Sequence, residues 1–136
     1  MSPNPSTPPA PKKRVLVVDD EPGIRDMLKW HLISNGMDVE TAEGGAEAIE
    51  LIRSQAFSLV ITDLTMPTVD GIQFLETLRR EGSDIPVVIV TGFGTVESAV
   101  YAMKKGASDF ILKPFDLQHL TEAIREIFKD MEETEP

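Results

Sequence analysis

Five residues of this sequence each follow a short apolar run and have side chains that bind metal ions or phosphate: Asp19, Asp20, Asp63, Thr91 and Lys113. If the runs are strands of one parallel sheet, these side chains converge at its carboxyl edge, where open α/β sheets bind ligands. Two carboxylates about 4 Å apart repel by roughly 4 kcal/mol at the effective dielectric of a protein surface. A cluster of three therefore requires a cation.

The cation that suits this cluster is Mg²⁺, because the ligands would be hard carboxylate oxygens. Mn²⁺ can substitute, since it accepts the same ligands. The sequence contains no cysteine, and its histidines, His31 and His119, lie far apart without a partner at metal-ligand spacing. Lys113 and Thr91 would bind the oxygens of a phosphate group, by charge and by hydrogen bond. One aspartate of such a site can act as a nucleophile and form an acyl phosphate.

The apolar runs themselves predict the strands that position these residues. They are short and rich in Val and Ile, which is typical of strands buried on both faces. A weaker run, Met37–Thr41, ends in no comparable polar residue. The other four runs are Val15–Val18, Ser58–Thr62, Pro86–Val90 and Asp109–Leu112.

Five helices are predicted between and after the strands, because apolar residues recur there at helical spacing. Gly36 and Gly106 are expected to end the first and fourth helices as left-handed caps, and Pro22 suits the first turn of helix one. Five βα units with right-handed crossovers predict an α/β fold, a doubly wound five-stranded parallel sheet with helices on both faces. The predicted apolar faces are Ile24, Met27, Leu28 and Leu32; Ala46, Ala48, Ile49 and Ile52; Ile72, Leu75 and Leu78; Val96, Ala99, Val100 and Met103; and Leu117, Leu120, Ile124, Ile127 and Phe128.

Composition predicts a single acidic domain in the cytoplasm. The 136 residues carry a net charge of −10, which disfavours direct contact with nucleic acid or anionic membranes. No apolar run reaches transmembrane length, and the N-terminus has no hydrophobic signal-peptide core. We expect a disordered Pro-rich tail at 1–12, the folded domain at 13–130, and an acidic tail or linker start at 131–136.

The chain resembles a receiver domain of a two-component response regulator over about residues 13–130. The order of four motifs, and their positions at the ends of strands one, three, four and five, make a specific joint signal. The segment from Thr91 to Phe115 is most similar to receivers of the nitrogen-regulation type, usually attached to transcriptional activators. The resemblance implies the flavodoxin-like strand order 2-1-3-4-5. The motifs are VLVVDDEP from Val15, DLTMPTVDG from Asp63, VTGFGT from Val90 and DFILKPF from Asp109.

The resemblance implies a role for each acid of the cluster. Asp63 would accept a phosphoryl group from the phosphohistidine of a sensor histidine kinase or a histidine phosphotransferase. Asp20, Asp63 and the backbone carbonyl of Thr65 would bind Mg²⁺ directly, and Asp19 would assist, through water.

The resemblance also implies a switch. Lys113 would pair with the phosphoryl group, and Thr91 would move inward to hydrogen-bond it. Because phosphorylation adds roughly two negative charges, this movement would vacate space for Phe110, which occupies the family's switch-aromatic position. The surface of helix four, strand five and helix five would then control an output domain or protein, and is a possible homodimer surface. The Lys113–Pro114 peptide bond is expected to be cis, as in the family.

Thr65 and Phe93 depart from many receivers, in which these positions often carry polar or charged side chains beside the path of the attacking water. Bulky Phe93 is expected to slow hydrolysis. The phosphoryl group is therefore expected to last longer than in fast chemotaxis-type receivers.

Other classes of function fit the sequence less well. A phosphohydrolase of the haloacid-dehalogenase type needs Asp-x-Asp after strand one and a cap over its substrate, whereas Asp19 and Asp20 are adjacent here and the candidate nucleophile is on strand three. A flavodoxin-like flavin carrier needs a Ser/Thr/Gly loop where three acids stand. A degenerate receiver is disfavoured by the complete acceptor set. We expect a signalling domain rather than an enzyme.

Two aromatic residues lie away from the predicted apolar faces, Trp30 on helix one and Tyr101 on helix four. Trp30 is either a partly covered surface residue or a contact for the kinase, which receivers bind around helix one. Tyr101 suits an output or dimer surface.

Overall fold

Five strands alternate with five helices in the computed structural model, which describes residues 12–65, 69–92 and 95–134. The alternation agrees with the predicted βα repeat. The elements are β1 (Arg14–Val18), α1 (Pro22–Ser34), β2 (Asp38–Ala42), α2 (Gly45–Ser54), β3 (Leu59–Thr62), α3 (Gly71–Arg80), β4 (Val87–Thr91), α4 (Val96–Lys104), β5 (Asp109–Leu112) and α5 (Leu117–Thr134).

The strands form one parallel sheet in the order β2-β1-β3-β4-β5, which confirms the predicted flavodoxin-like order. β1 lies between its two neighbours, with Val15 paired to Val39 of β2 and to Leu59 of β3. The strand order reverses at β1, so a crevice is expected at the carboxyl ends of β1 and β3.

Each face of the sheet has its own core, because alternate residues of a strand point to opposite sides. Val15 and Val17 of β1 pack with residues of α1 and α5, and Leu16 and Val18 pack with residues of α2, α3 and α4. All four are buried. Full burial of such a side chain contributes about 1.5–3 kcal/mol, so β1 is held firmly from both sides.

The helix ends follow the predicted signals. Pro22 begins α1, and Gly36 and Gly106, which follow α1 and α4, have φ angles of 86° and 104°. Glycine adopts this left-handed conformation without the strain that a Cβ would add. Asp70 and Thr95 are the N-caps of α3 and α4, and each forms a capping box, in which side chain and backbone exchange hydrogen bonds with the residue three positions on.

The buried side of α4 differs from the prediction. Of its predicted apolar face, Val96, Val100 and Met103 are 82%, 48% and 47% exposed, and the buried residue of the helix is Ala102. The reason is that β4 and α3 already fill this face of the sheet with large side chains, and α4 approaches it through a small one. The apolar residues of α4 therefore form part of the surface.

α5 extends further than the sequence predicts. It continues to Thr134, beyond the expected domain end at residue 130, because Met131 still packs against the core cluster beside Phe128. Long as it is, α5 is too polar to span a bilayer, and no other helix within the described ranges is long and apolar enough to do so.

Candidate functional site

Backbone hydrogen bonds extend two strands and place the buried carboxylates of the site. The amide of Asp19, directly after β1, donates to the carbonyl of Ala42 at 3.2 Å. The amide of Asp63, directly after β3, donates to the carbonyl of Val18 at 3.1 Å. Both aspartates are nearly buried, at 3% and 5% exposed. Their carboxylates are therefore fixed by the sheet rather than by a free loop.

Asp20 completes the cluster from the solvent side. It is exposed, and one carboxylate oxygen from each of Asp19, Asp20 and Asp63 lies within 4.8 Å of the other two. The prediction that these three acids converge is confirmed. An all-oxygen donor set with one exposed member fits Mg²⁺, which binds through few carboxylates and keeps several water ligands.

Lys113 lies against the buried pair. Its Nζ is 3.2 Å from Oδ2 of Asp19 and 3.2 Å from Oδ2 of Asp63. Burial, the largest single effect, lowers the pKa of Lys113, but the attraction of the two aspartates and the hydrogen bonds to them together hold the pKa above its ordinary value. One ammonium against three carboxylates leaves two negative charges, which is the charge that a divalent cation neutralises.

Two backbone amides orient the other carboxylate oxygens. Glu21 N–H donates to Oδ1 of Asp19 at 2.9 Å, and Thr65 N–H donates to Oδ1 of Asp63 at 3.2 Å. Each aspartate therefore directs Oδ2 toward Lys113. These contacts could not be predicted from the sequence, because a backbone amide is not marked by residue type. Arg25 was not predicted as a site residue either; its guanidinium donates to the backbone carbonyl of Asp19 at 2.8 Å.

The backbone carbonyl of Asp63 is held as closely as its side chain. The hydroxyl of buried Thr62 donates to this oxygen at 3.0 Å. A Cβ at Gly71, the first residue of α3, would lie 2.4 Å from the same oxygen, so only glycine fits there. The Gly71 amide donates to the carbonyl of Leu64 at 2.9 Å and closes the loop after Asp63.

Thr91 and Phe110 lie on β4 and β5, the two strands that follow β3 in the sheet. Thr91 is fully buried at the end of β4, and its carbonyl accepts from the amide of Lys113 at 2.8 Å. Phe110 is half-buried and packs against the core of the α3 and α4 face. The Lys113–Pro114 peptide bond is cis.

An apolar groove of about 440 Å³ opens next to Lys113, lined also by Ile24, Met27, Pro114 and Phe115. It runs between α1 and the segment that follows β5. The sequence places Ile24 on a helix face but does not predict the groove, because the other wall comes from Lys113, Pro114 and Phe115, which are distant from Ile24 in the chain.

Other residues considered from the sequence lie elsewhere. His31 is on α1 and makes a 2.6 Å hydrogen bond through Nε2 with the hydroxyl of Thr121, and His119 is exposed on α5. Trp30 and Tyr101 are 63% and 46% exposed. Phe93, expected to influence hydrolysis, lies outside the described residues.

Comparison with known proteins points to one family. A family model described as "Response regulator receiver domain" matches residues 15–125. Response regulator MprA of Mycolicibacterium vanbaalenii is 37% identical over 116 residues, which are 85% of this chain and 50% of that protein. The probable transcriptional regulator ycf27 of Porphyra purpurea is 38% identical over 118 residues, 87% of this chain and 48% of that protein. The chain spans about half the length of these relatives.

Solved structures agree with the sequence matches. A receiver domain protein of Methanospirillum hungatei, described as CheY-like, has a TM-score of 0.88 and 30% identity, and the match covers 92% of this chain and 100% of that chain. A receiver protein of Pseudomonas putida has a TM-score of 0.82 and 38% identity, covering 86% and 98%. The expected subtype, a nitrogen-regulation receiver, is not supported by the relatives named above.

Proposed function

The chain belongs to the response regulator receiver domain family, and we propose on this basis that it accepts a phosphoryl group on Asp63 and transmits the change to an output partner. The observation that carries the proposal is the buried carboxylate pair of Asp19 and Asp63 under one ammonium, that of Lys113, with exposed Asp20 alongside. This arrangement combines a nucleophile, a metal site and a phosphate-binding cation within one crevice.

Asp20, Asp63 and the carbonyl of Thr65 would bind Mg²⁺ directly, and Asp19 would act through water. When bound, Mg²⁺ would reduce the repulsion between the carboxylates and the incoming phosphoryl group, and Mn²⁺ is expected to substitute. Lys113, already 3.2 Å from Asp63, would move to the phosphoryl oxygens. Its raised pKa keeps it charged in this role.

The phosphodonor would be the phosphohistidine of a sensor histidine kinase or a histidine phosphotransferase. A carboxylate oxygen of Asp63 attacks phosphorus, the phosphorus–nitrogen bond breaks, and the imidazole leaves and takes up a proton. The groove beside Lys113 and the exposed side chains of Met27 and Trp30 on α1 would bind the donor protein. This assigns Trp30 to the kinase contact that the sequence left open.

The output surface would be formed by α4, β5 and α5. Phosphorylation would draw Thr91 toward the new charge and let Phe110 turn, which changes the packing of α4. The exposed side chains of Val96, Val100 and Tyr101 would contact an output domain or a second copy of the chain. Relatives about twice as long include proteins described as regulators, so we infer transcriptional control as the output, without nucleic-acid contact by this acidic domain.

We propose a cytoplasmic signalling domain that is not an enzyme, with only self-catalysed phosphoryl transfer and hydrolysis. Hydrolysis is expected to be slow because of Phe93. Completion of dephosphorylation within seconds would contradict this expectation.

The test is phosphorylation by acetyl phosphate. With Mg²⁺, the wild-type chain should gain the mass of one phosphoryl group, and Asp63→Asn should gain none. Asp38→Asn, the same change at an exposed position at the start of β2, serves as the control and should be phosphorylated normally. A wild-type chain that gains no mass would refute the proposal.

A further inference from the structure

The first residue of α2, Gly45, lies against Val69 in the segment that leads into α3. A Cβ at position 45 would lie 2.7 Å from Cγ1, 2.8 Å from the carbonyl oxygen and 2.9 Å from Cβ of Val69. Real Cβ atoms essentially never approach other atoms below 3.0 Å. Because valine is stiff about χ1 and one of the three atoms belongs to the backbone, any side chain at position 45 must displace either α2 or the loop.

α2 is the better anchored of the two. Ala48, one turn into the helix, is fully buried, and Ile49 and Ile52 pack against the same core cluster. The Ala48 amide also donates to the carbonyl of Gly44 at 3.1 Å, which fixes the first turn. Val69 packs against the same cluster with one partly buried side chain, so displacement would fall mainly on Val69 rather than on α2.

Val69 is linked to the acceptor by a short path. Two residues later, Gly71 lies so close to the carbonyl of Asp63 that no Cβ fits between them. On the other side of the loop, the amide of Thr65 holds Oδ1 of Asp63. A shift of Val69 thus reaches the backbone of Asp63 through Gly71, and a shift of Asp63 in turn changes the hydrogen bond that the Thr65 amide donates to its side chain.

We propose that Gly45 is a positioning residue of the metal site: it lets α2 press against Val69 and so holds Asp63 and Thr65 in the geometry that binds Mg²⁺. This inference rests on the proposed metal site. Metal sites lose affinity steeply when residues that orient their ligands are changed, so the contact should be visible in metal binding and not only in stability.

The experiment compares Gly45→Ala with Gly44→Ala, the same change one position earlier. A Cβ at Gly44 meets no atom within 4 Å, and its φ of −165° is extended backbone that alanine adopts freely. Mg²⁺ alone is titrated into ¹⁵N-labelled protein and followed by NMR. Hydrogen exchange of the Thr65 amide is measured without metal. The free energy of unfolding is measured by urea titration.

Gly45→Ala should raise the Kd for Mg²⁺ roughly 10-fold, the low end of the range for residues that orient metal ligands, and should speed exchange of the Thr65 amide. Gly44→Ala should change neither. Adding Val69→Ala to Gly45→Ala removes the Cγ1 contact and should recover part of the affinity. A Gly45→Ala protein that is less stable but keeps wild-type Mg²⁺ affinity and Thr65 exchange would overturn the inference.

If Gly45→Ala does not fold, Val69→Ala in the wild-type chain decides the question. It opens a gap at the same contact and should weaken Mg²⁺ binding by roughly threefold, a smaller effect because nothing is forced apart. Unchanged affinity would again overturn the inference. A wild-type chain without any Mg²⁺ affinity would instead refute the metal site itself, which separates the two failures.

Discussion

α4 and α5 lie on opposite faces of the sheet on either side of β5, but they are attached to it very differently. α5 buries Leu120, Ile124 and Phe128, three large side chains of one stripe. α4 buries only Ala102 among the residues that the structure describes on it. A helix held by few buried contacts opens or shifts at lower cost than one held by many. By this difference, α5 is the firmly packed helix and α4 is the helix that can shift at lower cost.

The two helices also differ in their relation to the site. α5 follows directly from the segment that carries Lys113, and its firm packing keeps that segment in place. α4 follows Thr91 and packs on the same face as Phe110. Thr91 itself is joined to the lysine segment, because its carbonyl accepts from the amide of Lys113 at 2.8 Å.

The largest expected effect on stability is in α5, the firmly packed helix. Ile124→Ala in α5 removes a fully buried side chain and should lower the free energy of unfolding by about 2–5 kcal/mol, because it leaves a cavity. Met103→Ala, on the exposed side of α4, should change it by less than about 0.5 kcal/mol. Urea unfolding of both variants measures the difference. Equal losses in the two helices would remove the distinction between them.

A smaller effect concerns Lys113, in the segment between β5 and α5. Because its pKa is raised in the folded protein, the stability that it contributes is fully present below the pKa of an unfolded lysine, about 10.4, and is lost as pH rises through the folded value. The difference in unfolding free energy between wild type and Lys113→Met should thus be constant from about pH 7 to 10 and shrink above that range.

The control for this measurement is Lys104→Met, the same change at an exposed position on α4. Its difference from wild type should not follow the profile of Lys113→Met. A Lys113→Met difference that grows with rising pH would show that the ammonium is not stabilised by Asp19 and Asp63 as the structure has it.

The smallest effect on stability is expected at the surface of α4. Val100→Ser replaces a side chain that is about half exposed and should change the free energy of unfolding by less than about 0.5 kcal/mol. If α4 forms the output surface, the same change should weaken self-association of the phosphorylated chain, measured by sedimentation. A phosphorylated wild-type chain that stays monomeric at all concentrations would refute the proposed homodimer, though not a separate output partner.

The sequence predicts the strands and the site acids well, because both depend on local signals. The run Val15–Val18 is typical of a buried strand, and the acids that follow it are then expected at the end of that strand. The strand order came instead from the family resemblance, since no local signal states which strands are neighbours. The orientation of α4 was mispredicted for a related reason: its periodicity marks an apolar face but not whether the sheet or a partner covers it.

The finer support of the site could not be predicted. The close approaches of Gly45 to Val69 and of Gly71 to Asp63 depend on where the first residues of α2 and α3 meet distant parts of the chain, and a glycine in a sequence does not indicate which atom lies against it. The hydrogen bonds that backbone amides donate to Asp19 and Asp63 are equally hard to predict from the sequence, because every residue other than proline carries the same donor.

The distance in sequence between the partners of the site has a consequence for folding. Lys113 is separated from Asp19 by 94 positions and from Asp63 by 50. Forming contacts between such distant residues costs loop-closure entropy before the contacts contribute any stabilising energy, so they form slowly. A nascent chain has Asp19 and Asp63 well before it has the lysine, so until β5 is synthesised and added to the sheet the two acids lack their counter-charge. The complete site is thus a late product of folding, and it reports that the last strand is in place.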